Sequence, residues 1–177
     1  MIIMKNIISL IAILFLPTSF IFADEKMDRV LEIDKIYAND KHYFENTNNR
    51  NLVTISADYL IPDSGQTQRL TRYYFEIINS MPKLKMIKES FNIGKRNFYR
   101  EYLYDKNGEL LFFYTQFDQR SSSLTTEHNC YYQNRQVIHS KLSKGINPDS
   151  YCTGYLQESI KQNVLFQKYM NFQKRIE

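Results

Sequence analysis

Two glutamates in apolar surroundings are the residues of this chain best suited to acid–base chemistry. Glu101 lies between Tyr99 and Leu103 on a predicted strand, and Glu76 is flanked by an aromatic and a branched side chain. Burial raises the pKa of a carboxyl group, so either residue could serve as a general acid. The sequence favours a second interpretation, in which each glutamate faces a lysine or arginine on a neighbouring strand. We therefore predict no catalytic residue.

The three histidines do not form a recognisable metal site. His42, His128 and His139 are scattered along the chain, although the last two lie on the two arms of one predicted hairpin. Two histidines without a third ligand nearby make a poor zinc site. The chain also lacks the glycine-rich phosphate loop, the Gly-x-Ser-x-Gly turn and the Cys-x-x-Cys pair of common enzyme classes. We predict no metal and no cofactor.

The two cysteines, Cys130 and Cys152, are too far apart in sequence for a redox pair and have no cluster of histidine ligands. In an oxidising compartment, such a pair forms a structural disulfide by default. We predict this bridge, which excludes Cys130 as a nucleophile.

A run of basic residues is the first candidate binding surface. Only two acids lie nearby, Glu89 within the run and Glu101 directly after it. Such a run can attract an acidic protein, an anionic lipid or a cell-wall polymer, but it is more often a solvated face. The run consists of Lys83, Lys85, Lys88, Lys95, Arg96 and Arg100.

The predicted C-terminal helix carries the second candidate surface. Its first apolar stripe, which we expect to pack on a sheet, consists of Leu156, Ile160 and Val164. A second stripe on nearly the opposite side consists of Leu165, Tyr169 and Phe172. Either another part of the chain covers this second stripe, such as the N-terminal helix, or it offers a face to a partner protein.

These residues are positioned by elements that the hydrophobic pattern predicts. Helical spacing predicts a short helix from Asp24 to Tyr37, and the polar residues 38–51 resemble a loop. Alternation and aromatic enrichment then predict strands at 53–61, 69–79 and 82–91.

Two hairpins follow. Asn107-Gly108 is a typical tight turn between strands at 98–104 and 109–117, and a second hairpin turns at Gln133-Asn134-Arg135. Helical spacing returns after Pro148. The predicted class is α+β: an N-terminal helix, an antiparallel meander of about six strands, and a C-terminal helix packed on the sheet.

Residues 1–23 have the composition of a cleavable secretory signal peptide. Lys5 supplies an early positive charge, an apolar run follows, and Ala23 is a small residue at the expected cut. Pro17 interrupts the run before it reaches the ~20 apolar residues of a membrane-spanning anchor. We therefore expect a single exported α+β domain at residues 24–177, in the periplasm or alternatively outside the cell, with no membrane span after cleavage.

Charge excludes one class of partner. The formal charge is +4 for the whole chain and falls to +3 when Lys5 leaves with the signal peptide. Such mild basicity is not the signature of a protein that binds polyanions, and export also argues against nucleic acid as a partner.

Together these patterns favour an exported, non-enzymatic binding protein with an unidentified protein partner. An inhibitor or immunity protein that neutralises an envelope-targeting enzyme is the most concrete version. One alternative is a secreted hydrolase that uses carboxylates, which a deep pocket with two desolvated acids would favour. Another is a carrier of a small ligand, for which the mark would be an apolar cavity between the sheet and the C-terminal helix.

Overall fold

A seven-stranded antiparallel sheet lies between two helices. The computed structural model describes residues 25–46, 51–61, 65–94, 96–118, 125–143 and 149–173. Helix α1 (residues 25–46) comes first and helix α2 (Asp149–Gln173) comes last. The strands between them are β1 (Leu52–Ile61), β2 (Gly65–Ile78), β3 (Met81–Ile93), β4 (Arg96–Tyr104), β5 (Leu110–Asp118), β6 (Thr125–Gln133) and β7 (Gln136–Leu142).

The strands pair with their sequence neighbours, in the order β1 to β7. This arrangement confirms the α+β class, with seven strands where about six were predicted. The predicted signal peptide lies outside the described residues. Neither described helix is long and apolar enough to cross a membrane.

Short turns set the register of the sheet. The β2–β3 and β6–β7 turns each place two residues at positive φ, Asn79-Ser80 and Asn134-Arg135, as the tightest hairpins require. In the β4–β5 turn only Gly108 has positive φ, at 82°. There the Asp105 carboxylate accepts the backbone N–H groups of Asn107 and Glu109, both at 2.8 Å. The predicted hairpin at this point is confirmed.

Helix α1 covers one face of the sheet, which we call the α1 side. Its buried residues Val30, Ile33 and Phe44 pack on large side chains of five strands, β2 to β6. Those side chains are Tyr74, Met86, Leu103, Leu111, Phe112 and Tyr131. The prediction that α1 ends near Tyr37 was wrong, because the helix continues through residue 46. Phe44 is buried and both Lys41 and Glu45 form ion pairs with the sheet, so tertiary contacts keep this polar segment helical.

Helix α2 covers the other face, the α2 side. The predicted first stripe is only partly correct: Leu156 is buried, but Ile160 and Val164 are 46% and 48% exposed. Five residues of α2 are buried against the sheet, and two of them are polar. The five are Cys152, Leu156, Ser159, Gln162 and Phe166. The hypothesis that α1 covers the second stripe of α2 was also wrong, since the sheet separates the two helices.

The predicted disulfide is present. Cys130 of β6 and Cys152 of α2 are bonded, with their Cα atoms 5.7 Å apart. The Tyr132 hydroxyl donates a hydrogen bond to the Cys152 carbonyl at 2.8 Å. These two contacts fix the first turns of α2 on the sheet.

Candidate functional site

A buried carboxylate on the α1 side gathers three donors. The side chain of Glu101 on β4 is almost fully buried. The hydroxyls of Tyr37 and Tyr99 both donate to it. The Lys41 ammonium lies 3.0 Å from one carboxylate oxygen and 3.3 Å from the other. Both oxygens of this glutamate therefore have protein partners.

Two simple spacings bring these groups together. Tyr37 and Lys41 are four residues apart on α1, so they share one face of the helix. Tyr99 and Glu101 are two residues apart on β4, so they share one face of the sheet. A second lysine, Lys88 of β3, pairs with Glu101 across the strands, and its ammonium lies 4.0 Å from the Glu101 carboxylate. The same ammonium lies closer, at 2.6 Å, to the carboxylate of Glu45 on α1.

The cluster keeps its tyrosines protonated. Burial raises the pKa of the Tyr37 hydroxyl far above its ordinary value, and the negative charge of Glu101 adds to the effect. Burial and the hydrogen bond to Glu101 do the same for Tyr99. Both phenols are therefore fixed hydrogen-bond donors to the carboxylate at physiological pH.

These two tyrosines also line a surface depression that we call the trough. It consists of two clefts of about 780 Å³ and 380 Å³, which adjoin because Tyr99 and Gln116 line both. The larger cleft has walls rich in amides and hydroxyls, among them Gln68, Ser90, Asn92 and Asn97, and it also contains the carboxylate of Asp118. The smaller cleft runs to the edge of α1 and is lined mainly by Asp34, Tyr37, Lys41, Phe112, Tyr114, Asn129 and Tyr131.

Strand β5 forms the floor of the trough. Its residues Phe112, Tyr114, Gln116 and Asp118 alternate along one face and all line the clefts. At ~3.3 Å per residue these four side chains extend over about 20 Å. The Tyr114 hydroxyl donates to the Gln116 side-chain oxygen at 3.1 Å, and burial, followed by the nearby Glu127, raises its pKa to about 12. The trough is therefore long, and its lining mixes polar side chains with apolar ones such as Leu70 and Phe98.

The α2 side holds a second buried carboxylate in a closed setting. Arg69 lies 2.6 Å from Glu89, and the Gln162 amide of α2 donates to the same oxygen at 3.0 Å. Gln162 in turn accepts the hydroxyl of Tyr73 at 2.8 Å, and Tyr102 donates to Glu89 at 3.4 Å. Among these groups only Arg69 has appreciable exposure.

The two carboxylates cannot act as a pair on one substrate. Glu89 and Glu101 project from opposite faces of the sheet, one under each helix. Each is engaged by a cation and by neutral donors. For Glu101 the sequence favoured a basic partner on a neighbouring strand, and Lys88 of β3 lies 4.0 Å away, but Lys41 of α1 is closer at 3.0 Å. The third acid considered, Glu76, is half-buried on β2 opposite Lys83. The arrangement is suited to holding side chains in place rather than to proton transfer.

The residues of the predicted basic run are divided between the faces of the sheet. Lys85 and Lys88 pair with acids of α1 at 3.6 Å and 2.6 Å. Arg100 lies on the α2 side, with its guanidinium 4.8 Å from the centre of the Phe91 ring. Lys83 and Arg96 are half-buried, and Lys95 lies outside the described residues.

The structure describes the side chains of two of the three residues in the second stripe of α2. Leu165 is 54% exposed and Tyr169 is half-buried, whereas the side chain of Phe172 lies outside the described part of the chain. The two residues face away from the trough, which lies on the other side of the sheet. The stripe remains a predicted partner surface.

The predicted hairpin histidines do not meet. His128 is buried on the α2 side, and His139 lies against Tyr131 on the α1 side. The His128 imidazole nitrogen Nε2 is 3.5 Å from each sulfur of the disulfide. With both sulfurs bonded to each other, this trio offers no thiolate to a metal ion.

Sequence reasoning missed most of the trough. Tyr37 and Lys41 could have been found from their four-residue spacing, had the helix been extended beyond Tyr37. The alternation of Tyr114, Gln116 and Asp118 on β5 was a further signal of a polar face. The convergence of α1 and β4 on one cleft has no local sequence signal, because it depends on where the helix docks.

No protein family, curated protein or solved structure gives a match to this chain. A functional proposal must therefore come from the geometry of the trough.

Proposed function

We propose that this protein is an exported, non-enzymatic binding protein and that the trough is its binding site. The observation that carries the proposal is the role of Glu101 beneath the trough. Both of its oxygens are occupied by Tyr37, Tyr99 and Lys41, and all three of these side chains line the clefts. The carboxylate thus fixes the walls before any ligand arrives, which lowers the entropic cost of binding.

Two further observations support this proposal. The Cys130–Cys152 bridge suits an oxidising compartment outside the cytoplasm. The larger cleft has a volume typical of sites for small ligands or chain segments. In this proposal the ligand is a component of the cell envelope or its surroundings, either a polymer or a protein such as an envelope-targeting enzyme.

The test is capture of the ligand by the exported protein. The full chain is expressed with a C-terminal tag, recovered after export, immobilised and exposed to envelope extracts. Bound polypeptides and glycans are then identified by mass spectrometry. We expect Ser90→Trp, which places a large ring in the trough, to abolish retention. Gln157→Trp, at an exposed position of α2 on the other side of the sheet, is the matched control and should retain the same material as the wild type.

Two results would contradict the proposal. The first is recovery of the protein as a lone monomer, or with material that Ser90→Trp retains equally well. The second is cleavage of the captured material during incubation, with the activity lost in Glu101→Gln. That result would replace a binding protein with the hydrolase alternative.

A further inference from the structure

We propose that the trough binds a neutral saccharide chain. This inference rests on the proposed function and specifies the chemical class of its ligand. It follows from the hydrogen-bonding groups, the aromatic walls and the charge of the trough.

The walls of the larger cleft match the hydroxyl groups of a sugar. A hydroxyl donates one hydrogen bond and accepts others, so it is best met by side chains that do both. Asparagine and glutamine amides and serine hydroxyls have this double capacity. The larger cleft is lined by Gln68, Ser90, Asn92, Asn97 and Gln116. Asn92 already accepts the Gln68 backbone N–H. Asn97 donates to Asp118 and Gln116 accepts the Tyr114 hydroxyl, so one amide group of each of these three residues remains for a ligand.

Asn129 supplies a buried acceptor that needs a donor. Its side-chain oxygen is inaccessible to solvent and has no hydrogen-bond partner within the described ranges. The residue lines the smaller cleft, beside Tyr114 on the neighbouring strand. Buried polar atoms in native proteins are nearly always satisfied, so an orphaned acceptor in the wall of a cleft calls for an explanation. Rotation of the Asn129 amide towards the cleft would let a ligand hydroxyl satisfy it.

Tyrosine rings supply the apolar surface that a sugar ring also needs. The C–H faces of a pyranose are apolar, and they pack on aromatic rings that carry a polar group at one end. Tyr99 and Tyr114 lie edge to face in the trough with ring centres 6.3 Å apart. Tyr37 and Tyr131 line the same cleft nearer α1. Tyr131 is buried, whereas the rings of Tyr37, Tyr99 and Tyr114 are half-buried, and three such rings suit an extended chain better than a single sugar.

The charge of the trough disfavours anionic ligands. The described walls contain no arginine, and the ammonium of Lys41 is neutralised by Glu101. Asp34 and Asp118 add negative charge to the lining. Phosphates and acidic polysaccharides would be repelled, whereas uncharged sugars would not.

The experiment measures binding of defined probes to the purified exported protein by isothermal titration calorimetry. The neutral probes are short cello-, chito- and malto-oligosaccharides. Heparin and a neutral peptide of similar length serve as the anionic and peptide probes. We expect at least one neutral oligosaccharide to bind and heparin not to bind.

Variants locate the site. Asn129→Ala removes one hydrogen bond and should weaken saccharide binding about five-fold. Tyr114→Ala should weaken it more than Tyr114→Phe, which keeps the ring. Gln133→Ala, at an exposed turn away from the trough, is the matched control and should bind like the wild type. Thermal unfolding of each variant verifies that the fold is intact.

The possible outcomes separate the two proposals. Saccharide binding that falls in the trough variants supports both. Binding of the peptide in preference to every saccharide, with the same sensitivity to Tyr114→Ala, overturns the saccharide inference and leaves the proposed function standing. Saccharide binding that no trough variant weakens overturns the assigned site. Failure of a folded protein to bind any probe overturns the saccharide inference, and the capture experiment then decides the proposed function.

Discussion

The two buried glutamates lie on adjacent strands, with their side chains on opposite faces of the sheet and in different surroundings. Glu89 and Glu101 are on adjacent strands, and each is opposite a basic residue of the other strand: Arg100 in one case and Lys88 in the other. Both have 0% exposure. On the α2 side the partners of Glu89 lie beneath a helix, whereas on the α1 side the three partners of Glu101 line an open trough.

The contrast shows that burial and ion pairing do not by themselves mark a functional acid. A buried glutamate with a cation and neutral donors as partners closes a core in one setting and lies beneath a cleft in the other. The difference is that the partners of Glu89 lie beneath α2, whereas the partners of Glu101 line the trough. The contrast therefore predicts that loss of Glu89 affects mainly stability, whereas loss of Glu101 affects mainly binding.

The largest effect is expected from Glu89→Ala. The substitution leaves the Arg69 guanidinium without its carboxylate and orphans the buried donors of Tyr102 and Gln162. Breaking a buried ion pair from one side costs about 3–5 kcal/mol. We expect a decrease of that size in the free energy of unfolding, measured by urea denaturation. Glu89→Gln keeps two acceptor lone pairs and should lose less, and an unchanged midpoint in Glu89→Ala would remove the structural role assigned to this residue.

The disulfide is the next largest contribution on the α2 side. Cys130 and Cys152 are separated by 22 residues, and closing a loop of that length stabilises a protein by about 3 kcal/mol through the entropy of the unfolded chain. The double variant Cys130→Ala with Cys152→Ala should lose about that amount, measured against the oxidised wild type. Reduction of the wild type under denaturing conditions should give the same decrease, and a much smaller loss would contradict the role of the bridge as the anchor of α2.

Glu101→Ala should cost less stability than Glu89→Ala, about 2 kcal/mol. After the substitution Lys88 keeps Glu45 as its partner, and the hydroxyls of Tyr37 and Tyr99 can reach water in the trough. The two tyrosine rings lose the carboxylate that holds both of them in place. We therefore expect a larger loss in the free energy of ligand binding than in the free energy of unfolding. The check is to measure unfolding and capture in parallel. If Glu101→Ala is as destabilising as Glu89→Ala and binds normally, the distinction between the two sides is wrong.

The sequence predicted the sheet well because its signals are local. Three examples are the alternation along β1, the turn at Gly108 and the apolar run at the start of β5. Each predicts the structure of the few residues in which it occurs. The disulfide was predicted from the expected export to an oxidising compartment and from the presence of two cysteines. Such features need no knowledge of what packs against them.

The stripe of α2 was mispredicted for the opposite reason. Apolar spacing favoured Ile160 and Val164, but Ser159 and Gln162 face the sheet. The Gln162 amide meets buried polar partners there, whereas the Ser159 side chain donates to the Leu156 carbonyl of its own helix and only its backbone carbonyl bonds to the sheet. The Tyr104 hydroxyl donates to the Ser159 carbonyl at 3.0 Å, and Gln162 links Tyr73 to Glu89. Satisfying those buried groups outweighs the gain from burying two more aliphatic side chains. The same dependence on a distant partner concealed the second half of α1 and most of the trough.

The smallest expected effect compares one tyrosine from each side at alkaline pH. Burial raises the pKa of both Tyr73 and Tyr114 from 10.0 to about 12, with a contribution from Glu89 for Tyr73 and from Glu127 for Tyr114. Between these values the folded protein retains protons that the unfolded chain has lost. The stability that each phenol contributes is therefore complete below pH 10 and is lost as the pH rises towards about 12.

Both Tyr73→Phe and Tyr114→Phe should therefore lose less stability than the wild type as the pH is raised above 10.0, the ordinary pKa of tyrosine. They should differ at neutral pH. Tyr73→Phe leaves the buried oxygen of Gln162 without its donor and lowers the free energy of unfolding by about 1 kcal/mol. In Tyr114→Phe the freed Gln116 oxygen lies in the open trough, where water replaces the lost bond, and neutral stability should match the wild type. Equal losses at neutral pH would mean that the trough is as dry as the core beneath α2, and that the two sides differ in shape but not in solvation.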